Sequence, residues 1–162
     1  MMAKLEHHLE DFVDPLSNYE PRQYSDAIQE ALAEETVAAI RSRPHAEISP
    51  DNTIYSALQA LAGLQVASLL VVDKGRLVGV FTERDVLERV ALRFDEVKDR
   101  PVREVMTSNP VVVYESDPAG AALSAIAVAG FRHVPVVDLN GAVVGVISPR
   151  RVFEFLQLPG AD

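Results

Sequence analysis

The sequence contains no cysteine, which excludes a disulfide framework, a cysteine nucleophile and a thiolate metal site. It also lacks a long hydrophobic run, since the most apolar stretch, residues 66–72, is far too short to cross a bilayer. The acidic N-terminus has no apolar segment of the kind that a secretory signal requires. We therefore expect a soluble, cytoplasmic protein with no membrane-spanning part.

Lysine and arginine are scarce, with 15 basic against 24 acidic side chains and a net charge of −9. Most of the excess lies in residues 1–35, which carry two basic and nine acidic side chains. No basic cluster interleaved with aromatic residues is present, so general nucleic-acid binding and docking on an anionic membrane are not expected. In contrast, 48% of the 162 residues are hydrophobic, enough for the core of one compact module.

After its acidic beginning the chain repeats itself. Val71-Val72-Asp73 aligns with Val136-Val137-Asp138, and Val78-Gly79-Val80 aligns with Val144-Gly145-Val146. A unit of about 55 residues rarely has a sufficient core alone, so we expect the two copies to pack as a pseudo-two-fold pair. The predicted divisions are an arm at 1–35, a first repeat at 36–97, a second repeat at 98–158 and a tail at 159–162.

Each repeat reads as strand, helix, strand, strand, helix, after a short helical lead-in at 36–40 or 102–107. Glycine-bearing turns join each strand pair, and Asp51 is a predicted helix N-cap. The fold class is therefore α/β (α+β), with tandem β-α-β-β-α repeats and an N-terminal helical arm. The predicted strands are 46–48, 69–72, 77–81, 111–114, 134–137 and 143–147, and the predicted helices are 54–61, 83–91, 122–127 and 149–156.

The arm contains two helical patterns. Leu5, Leu9, Phe12 and Val13 fall on one face of the first, and Ser25 is the predicted cap of the second. An amphipathic arm beside a complete repeat pair needs a surface to cover. Three alternatives remain open, namely packing within the chain, packing across a homodimer, and packing on another partner.

The second strand of each hairpin runs straight into a helix, at 79–86 and at 145–152. Thr82 and Ser148 place a hydroxyl at the helix N-terminus, where free N–H groups and the helix dipole favour a phosphate. Asp85, one turn further, has the chemistry to accept hydrogen bonds from the two hydroxyls of a ribose. The same Thr-x-x-Asp pattern is equally typical of a capping box, so capping and ligand binding both remain open.

These residues resemble the CBS-domain family, as a stand-alone pair of CBS domains (a Bateman module). The resemblance rests on the two repeats, on residues 79–86, on Arg132-His133-Val134-Pro135 and on Val105-Met106-Thr107. It implies a regulatory protein that binds AMP, ADP, ATP or S-adenosylmethionine in clefts between the repeats. It also implies a homodimer, and a regulated enzyme or transporter as a further partner. A ligand-free scaffold acting only in protein association is the alternative.

Site residues follow from the resemblance in two sets. In the first cleft Thr82 would bind the phosphate and Asp85 the ribose, beside Arg84. The residues that would line the adenine there are Ala46, Glu47, Ile48, Ser68 and Leu69. In the second cleft the corresponding residues are Ser148, Arg150, Arg151, Val111, Val112, His133 and Val134.

Arg151 departs from the family pattern, because it stands where the ribose-binding acid is expected. An arginine in the first turn faces the positive end of the helix dipole, at a cost of roughly 0.3–1 kcal/mol if it is unpaired. Three alternatives remain open: Arg151 binds a phosphate, pairs with a carboxylate, or is solvated. The sequence contains no Ser/His/Asp set, no pair of catalytic acids and no metal-ligand spacing, so an enzyme is not expected.

Overall fold

The computed structural model describes residues 20–129 and 132–157. The α/β fold class and the tandem repeats are confirmed. The helices are α1 (Ala27–Glu34), α2 (Ile54–Leu64), α3 (Glu83–Asp85), α4 (Phe94–Val97), α5 (Ala119–Ala129) and α6 (Pro149–Leu156). The strands are β1 (Glu47–Ile48), β2 (Ser68–Asp73), β3 (Arg76–Thr82), β4 (Thr107–Ser108), β5 (Val113–Tyr114), β6 (Val134–Val137) and β7 (Val143–Ile147). None of the helices described is long and apolar enough to span a membrane.

Each repeat builds one small sheet. The first has the order β1-β2-β3-β4 and the second the order β5-β6-β7. In both, the first pair is parallel and the second is an antiparallel hairpin. The hairpin turns use Gly75 (φ 78°) and Gly141 (φ 80°), because this left-handed conformation suits a residue without a Cβ. The two turns also touch, since the Arg76 guanidinium donates to the Asn140 carbonyl at 3.1 Å.

The segments that lead into the repeats cross over. We call residues 35–45 and 100–110 the leading segments. The Ala119 N–H at the start of α5 donates to the Glu35 carbonyl at 2.8 Å, and the Ile54 N–H at the start of α2 donates to the Arg100 carbonyl at 2.9 Å. The first leading segment therefore packs on the second repeat and the second on the first, which ties the pair together.

The two hydrophobic cores reflect this exchange. Val97, Val102 and Val105 belong to the core of the first repeat, although the last two follow its sequence boundary. Val37 and Ile40 belong to the core of the second repeat. The sequence boundary at 97/98 thus does not coincide with the boundary between the packed cores.

The described part of the arm packs within the chain. Helix α1 lies against α5, and Leu32 packs on the core of the second repeat. The α1 cap is Asp26, whose carboxylate accepts from the Gln29 N–H at 2.8 Å, so the prediction of Ser25 as the cap was wrong. The predicted stripe at Leu5, Leu9, Phe12 and Val13 lies outside the described residues.

Three local predictions differ from the structure. Thr53 rather than Asp51 caps α2, because its hydroxyl accepts from the Ser56 N–H at 3.1 Å. The helix predicted at 83–91 runs instead from α3 through a π turn (Val86–Val90) and a 3-10 turn (Ala91–Arg93) into α4. The second lead-in, predicted as a helix, ends in strand β4, which pairs with β3.

Candidate functional site

A cleft of about 130 Å³ lies between the repeats, and we call it the inter-repeat cleft. Its walls come from the first leading segment, the loop before β2, and the ends of β6 and β7. The lining residues are Pro44, His45, Ala46, Val66, Ala67, Ser68, His133, Val146, Ser148 and Arg151. Both repeats are therefore needed to form it, because neither contributes a complete wall.

Ser148 stands at the N-terminus of α6, where β7 ends. Its backbone is extended (φ −115°, ψ 163°), and its hydroxyl makes no capping hydrogen bond. Pro149 occupies the first position of the helix, where its missing N–H costs no intrahelical hydrogen bond. The Ser148 hydroxyl therefore remains available at the cleft wall to bond a ligand.

Arg151 bonds backbone carbonyls, which none of the three sequence hypotheses anticipated. Its guanidinium donates to the carbonyl of Ser42, to that of Val146 at 2.6 Å and to that of Pro44 at 2.7 Å. No carboxylate in the described part of the chain pairs with it, and its side chain is not freely solvated. Arg151 thus fastens the first leading segment to β7, and it brings a positive charge that forms no ion pair with a described acid.

Burial lowers the pKa of Arg151 and the nearby Arg41 lowers it further, while Glu154 acts in the opposite direction. The first two effects disfavour an isolated cation at this position, and an anion in the cleft would offset them. The geometry is therefore compatible with the phosphate hypothesis. It gives no support to the carboxylate-pair hypothesis within the described residues.

His133 lines the same cleft and is half-buried. Its burial lowers its pKa below the ordinary value of 6.5, while Glu83 acts in the opposite direction. Arg132 and Arg151 lower the pKa further. Burial and the two arginines therefore keep His133 neutral at neutral pH.

This pKa shift predicts a pH dependence of stability. Because the folded protein binds the His133 proton more weakly than the unfolded chain, acid favours unfolding. The effect is absent above pH 6.5, grows as the pH falls below it, and is complete below the depressed pKa of the folded state. We expect His133→Gln to flatten the fall in unfolding free energy between about pH 7.5 and 5.5 in urea titrations. Equal slopes for the two proteins would contradict the assignment.

His45 also lines the cleft, and only 15% of its side chain is exposed. Its Nε2 lies 2.8 Å from a carboxylate oxygen of Glu47. Since that oxygen only accepts, Nε2 carries the proton in neutral His45 and Nδ1 is an acceptor. Nδ1 is buried without a hydrogen bond to any described residue, which leaves it free for a donor on a ligand. The sequence could have identified His45 as a cleft residue, because it directly precedes Ala46, which was predicted to line a cleft.

Thr82 and Asp85 do not line the inter-repeat cleft. They form a capping box, in which the Asp85 N–H donates to Thr82 Oγ1 at 3.3 Å and the Thr82 N–H donates to Asp85 Oδ2 at 2.9 Å. Asp85 Oδ2 also accepts from the Thr82 hydroxyl, and Asp85 Oδ1 accepts from Thr107 and lies 3.2 Å from Arg89. Asp85 is only 4% exposed, so a ribose would have to displace these partners.

The other predicted residues divide between the cleft and the packed structure. Ala46 and Ser68 line the cleft, but beside His133 and Ser148 of the second repeat rather than beside Thr82 and Asp85. The remaining predicted residues do not line this cleft. Leu69 and Val134 are fully buried, Ile48 packs on the first core, and Glu47 contacts His45. Val111 is exposed and Val112 half-buried, while Arg84 pairs with Glu88 and Arg150 with Glu154.

Comparison with known proteins finds the same architecture. The sequence model of the family described as "CBS domain" matches residues 37–92 and 102–158. The chain is 34% identical over 116 residues to the CBS domain-containing protein CBSCBSPB1 of Arabidopsis thaliana. That match covers 71% of this chain and 21% of the plant protein, so this chain spans about a fifth of the length of that relative.

Solved structures give a similar result. The CBS domain protein PAE2072 from Pyrobaculum aerophilum, complexed with AMP, is 32% identical with a TM-score of 0.65, covering 72% of this chain and 88% of that one. The CBS domain pair of protein MJ0100, in complex with 5′-methylthioadenosine and S-adenosyl-L-methionine, is 27% identical with a TM-score of 0.63. That similarity covers 74% of this chain and 93% of the other.

Proposed function

Because this chain belongs to the CBS-domain family as a tandem pair, we propose that it is a regulatory protein that binds an adenosine nucleotide in the inter-repeat cleft. One observation carries the proposal: the cleft is built by both repeats and presents polar groups with unused bonding capacity beside an unneutralised arginine. Adenosine compounds occupy the solved relatives PAE2072 and MJ0100, which supports the ligand class.

The phosphate and the base of such a ligand each have a suitable partner in the cleft. The hydroxyl of Ser148 and the N-terminus of α6 suit a phosphate, since free N–H groups and the helix dipole favour an anion there. Arg151 adds positive charge to the same wall. The acceptor Nδ1 of His45 suits a donor such as the amino group of adenine.

The charge of the cleft selects among the adenosine ligands. Arg151 has no acidic partner in the described chain, and a cationic sulfonium beside it would be repelled. We therefore assign an adenine nucleotide, namely AMP, ADP or ATP, in preference to S-adenosylmethionine. This preference concerns the affinity of the cleft for each ligand and not the signal that follows binding.

The size of the cleft suggests how binding is signalled. A volume of about 130 Å³ is below the roughly 300 Å³ at which ligand pockets usually begin. A nucleotide must therefore widen the cleft, one wall of which is the first leading segment. Since that segment also packs into the second core, binding would change the surface that a homodimer partner, or a regulated enzyme or transporter, contacts.

One observation favours a second candidate, a scaffold that works without ligand. Asp85 already has both oxygens engaged, and Arg151 holds three carbonyls, so both motif positions have structural roles. In that case the fold would serve only association with itself or with another protein. The scaffold differs from the proposed sensor in a single property, the absence of nucleotide binding.

Calorimetric titration with AMP tests the proposal. We expect Ser148→Ala to weaken AMP binding by roughly fivefold to tenfold, because one hydrogen bond to the ligand is lost. Ser124→Ala removes an exposed hydroxyl from α5, outside the cleft, and is the matched control that should leave AMP binding unchanged. If none of AMP, ADP and ATP binds the natural protein at millimolar concentration, the scaffold is correct and the sensor is not.

A further inference from the structure

The inter-repeat cleft opens onto a wider depression of about 530 Å³. This depression is lined by Arg41, Arg43, Pro44 and His45, and the last two also line the cleft. The cleft and the depression therefore adjoin at Pro44 and His45. The depression is open to solvent, and both of its arginines are exposed.

Three arginines meet at this junction, and none of them forms an ion pair with a described acid. None of the ion pairs among the described residues includes Arg41, Arg43 or Arg151. Arg41 is close enough to Arg151 to lower its pKa, so the two cations repel each other. In a protein with a net charge of −9, such a group of unneutralised arginines marks a place for an anion.

Arg43 is held in place, while its two outer nitrogens make no hydrogen bond to any described residue. Its Nε donates to the Val144 carbonyl at 2.9 Å, which anchors the side chain to β7. An anchored guanidinium loses less freedom on binding, and its fork geometry suits phosphate oxygens. Arg41 adds a second guanidinium on the same rim.

We propose that this depression is a subsite for the terminal phosphates of a nucleoside di- or triphosphate, with Arg41 and Arg43 as its specificity-determining residues. The inference rests on the proposed function, since it assumes that the nucleoside occupies the cleft. The α-phosphate then lies near Ser148, and the β- and γ-phosphates extend past Pro44 to the two arginines. The protein accordingly distinguishes ATP and ADP from AMP.

Titrations of the full chain with AMP and with ATP, in magnesium-free buffer, test this subsite. We expect ATP to bind at least about tenfold more tightly than AMP. Arg41→Gln and Arg43→Gln should each reduce ATP affinity by about tenfold and change AMP affinity by less than about twofold. Arg93→Gln carries the same charge change at an exposed position outside the cleft and the depression, and it should leave both affinities unchanged. Melting curves confirm that each variant is folded.

The outcomes separate the subsite from the proposed function. Equal affinities for AMP and ATP, or equal losses in Arg93→Gln, would overturn the subsite and leave the nucleotide sensor standing. Absence of binding by every adenosine ligand would overturn both. Inorganic tripolyphosphate is the third arm: it should bind far more weakly than ATP, and binding as tight as that of ATP would assign the arginines to a free polyphosphate and contradict the assignment to a nucleotide.

Discussion

Replacing Asp85 with alanine is expected to lower the free energy of unfolding by about 2–3 kcal/mol and to leave AMP affinity unchanged within about twofold. The carboxylate accepts from the Thr82 N–H, the Thr82 hydroxyl and the Thr107 hydroxyl, and it pairs with Arg89. Removing the carboxylate leaves the part-buried donors of Thr82 and Thr107 without their acceptor. The pair with Arg89 contributes less than a fully buried one, because 41% of that side chain is exposed.

Urea unfolding and calorimetry on the same variant give both quantities. The matched control is Arg84→Gln, since the Arg84 side chain is 79% exposed and pairs with Glu88 alone among described residues, so its unfolding free energy should change little. A loss of AMP affinity by 30-fold or more in Asp85→Ala, with stability retained, would return the ribose role to Asp85. It would show that the first repeat holds the ligand.

Gly145→Ala is expected to destabilise the protein by about 3 kcal/mol or more, and Gly79→Ala by only about 1 kcal/mol. A Cβ at Gly145 would lie 2.6 Å from both the Cβ and the carbonyl oxygen of Ser42. That carbonyl also accepts from the Val146 N–H at 3.0 Å and from Arg151, so the leading segment cannot move away without breaking these bonds.

Gly79 is the matched comparison, because it occupies the equivalent place in the first repeat. A Cβ there would meet only the side chain of Met106, which is unbranched and can shift more easily than a backbone carbonyl. Thermal and urea unfolding of the two variants measures the difference. Equal destabilisation, or a larger effect at Gly79, would contradict the close backbone approach of the first leading segment to β7.

Most of the fold could be predicted from local sequence signals. Strands β6 and β7 and helix α6 have the predicted limits, because alternating apolar residues and the glycine turn define them without long-range contacts. Strand β4 could not be predicted, since its two residues are extended only by pairing with β3. The exchange of leading segments was missed for the same reason, because it depends on contacts between distant parts of the chain.

The candidate site was predicted only in part. The motif at 145–152 gave Ser148 and Arg151, and the resemblance gave His133, Ala46 and Ser68, all of which line the cleft. The pairing of Ala46 and Ser68 with the second repeat was not predicted, because it follows from the packing of the two repeats. The two readings of Asp85 could not be separated from spacing alone, since Thr107, its partner from the other repeat, is decided by the fold.

A crystal structure of the full chain soaked or grown with AMP tests the central claim most directly. We predict one nucleotide per chain in the inter-repeat cleft, with its phosphate beside Ser148 and its adenine amino group facing His45. The cleft should be wider than in the unliganded protein. A nucleotide bound beside Thr82 and Asp85 instead, with the inter-repeat cleft empty, would contradict the account.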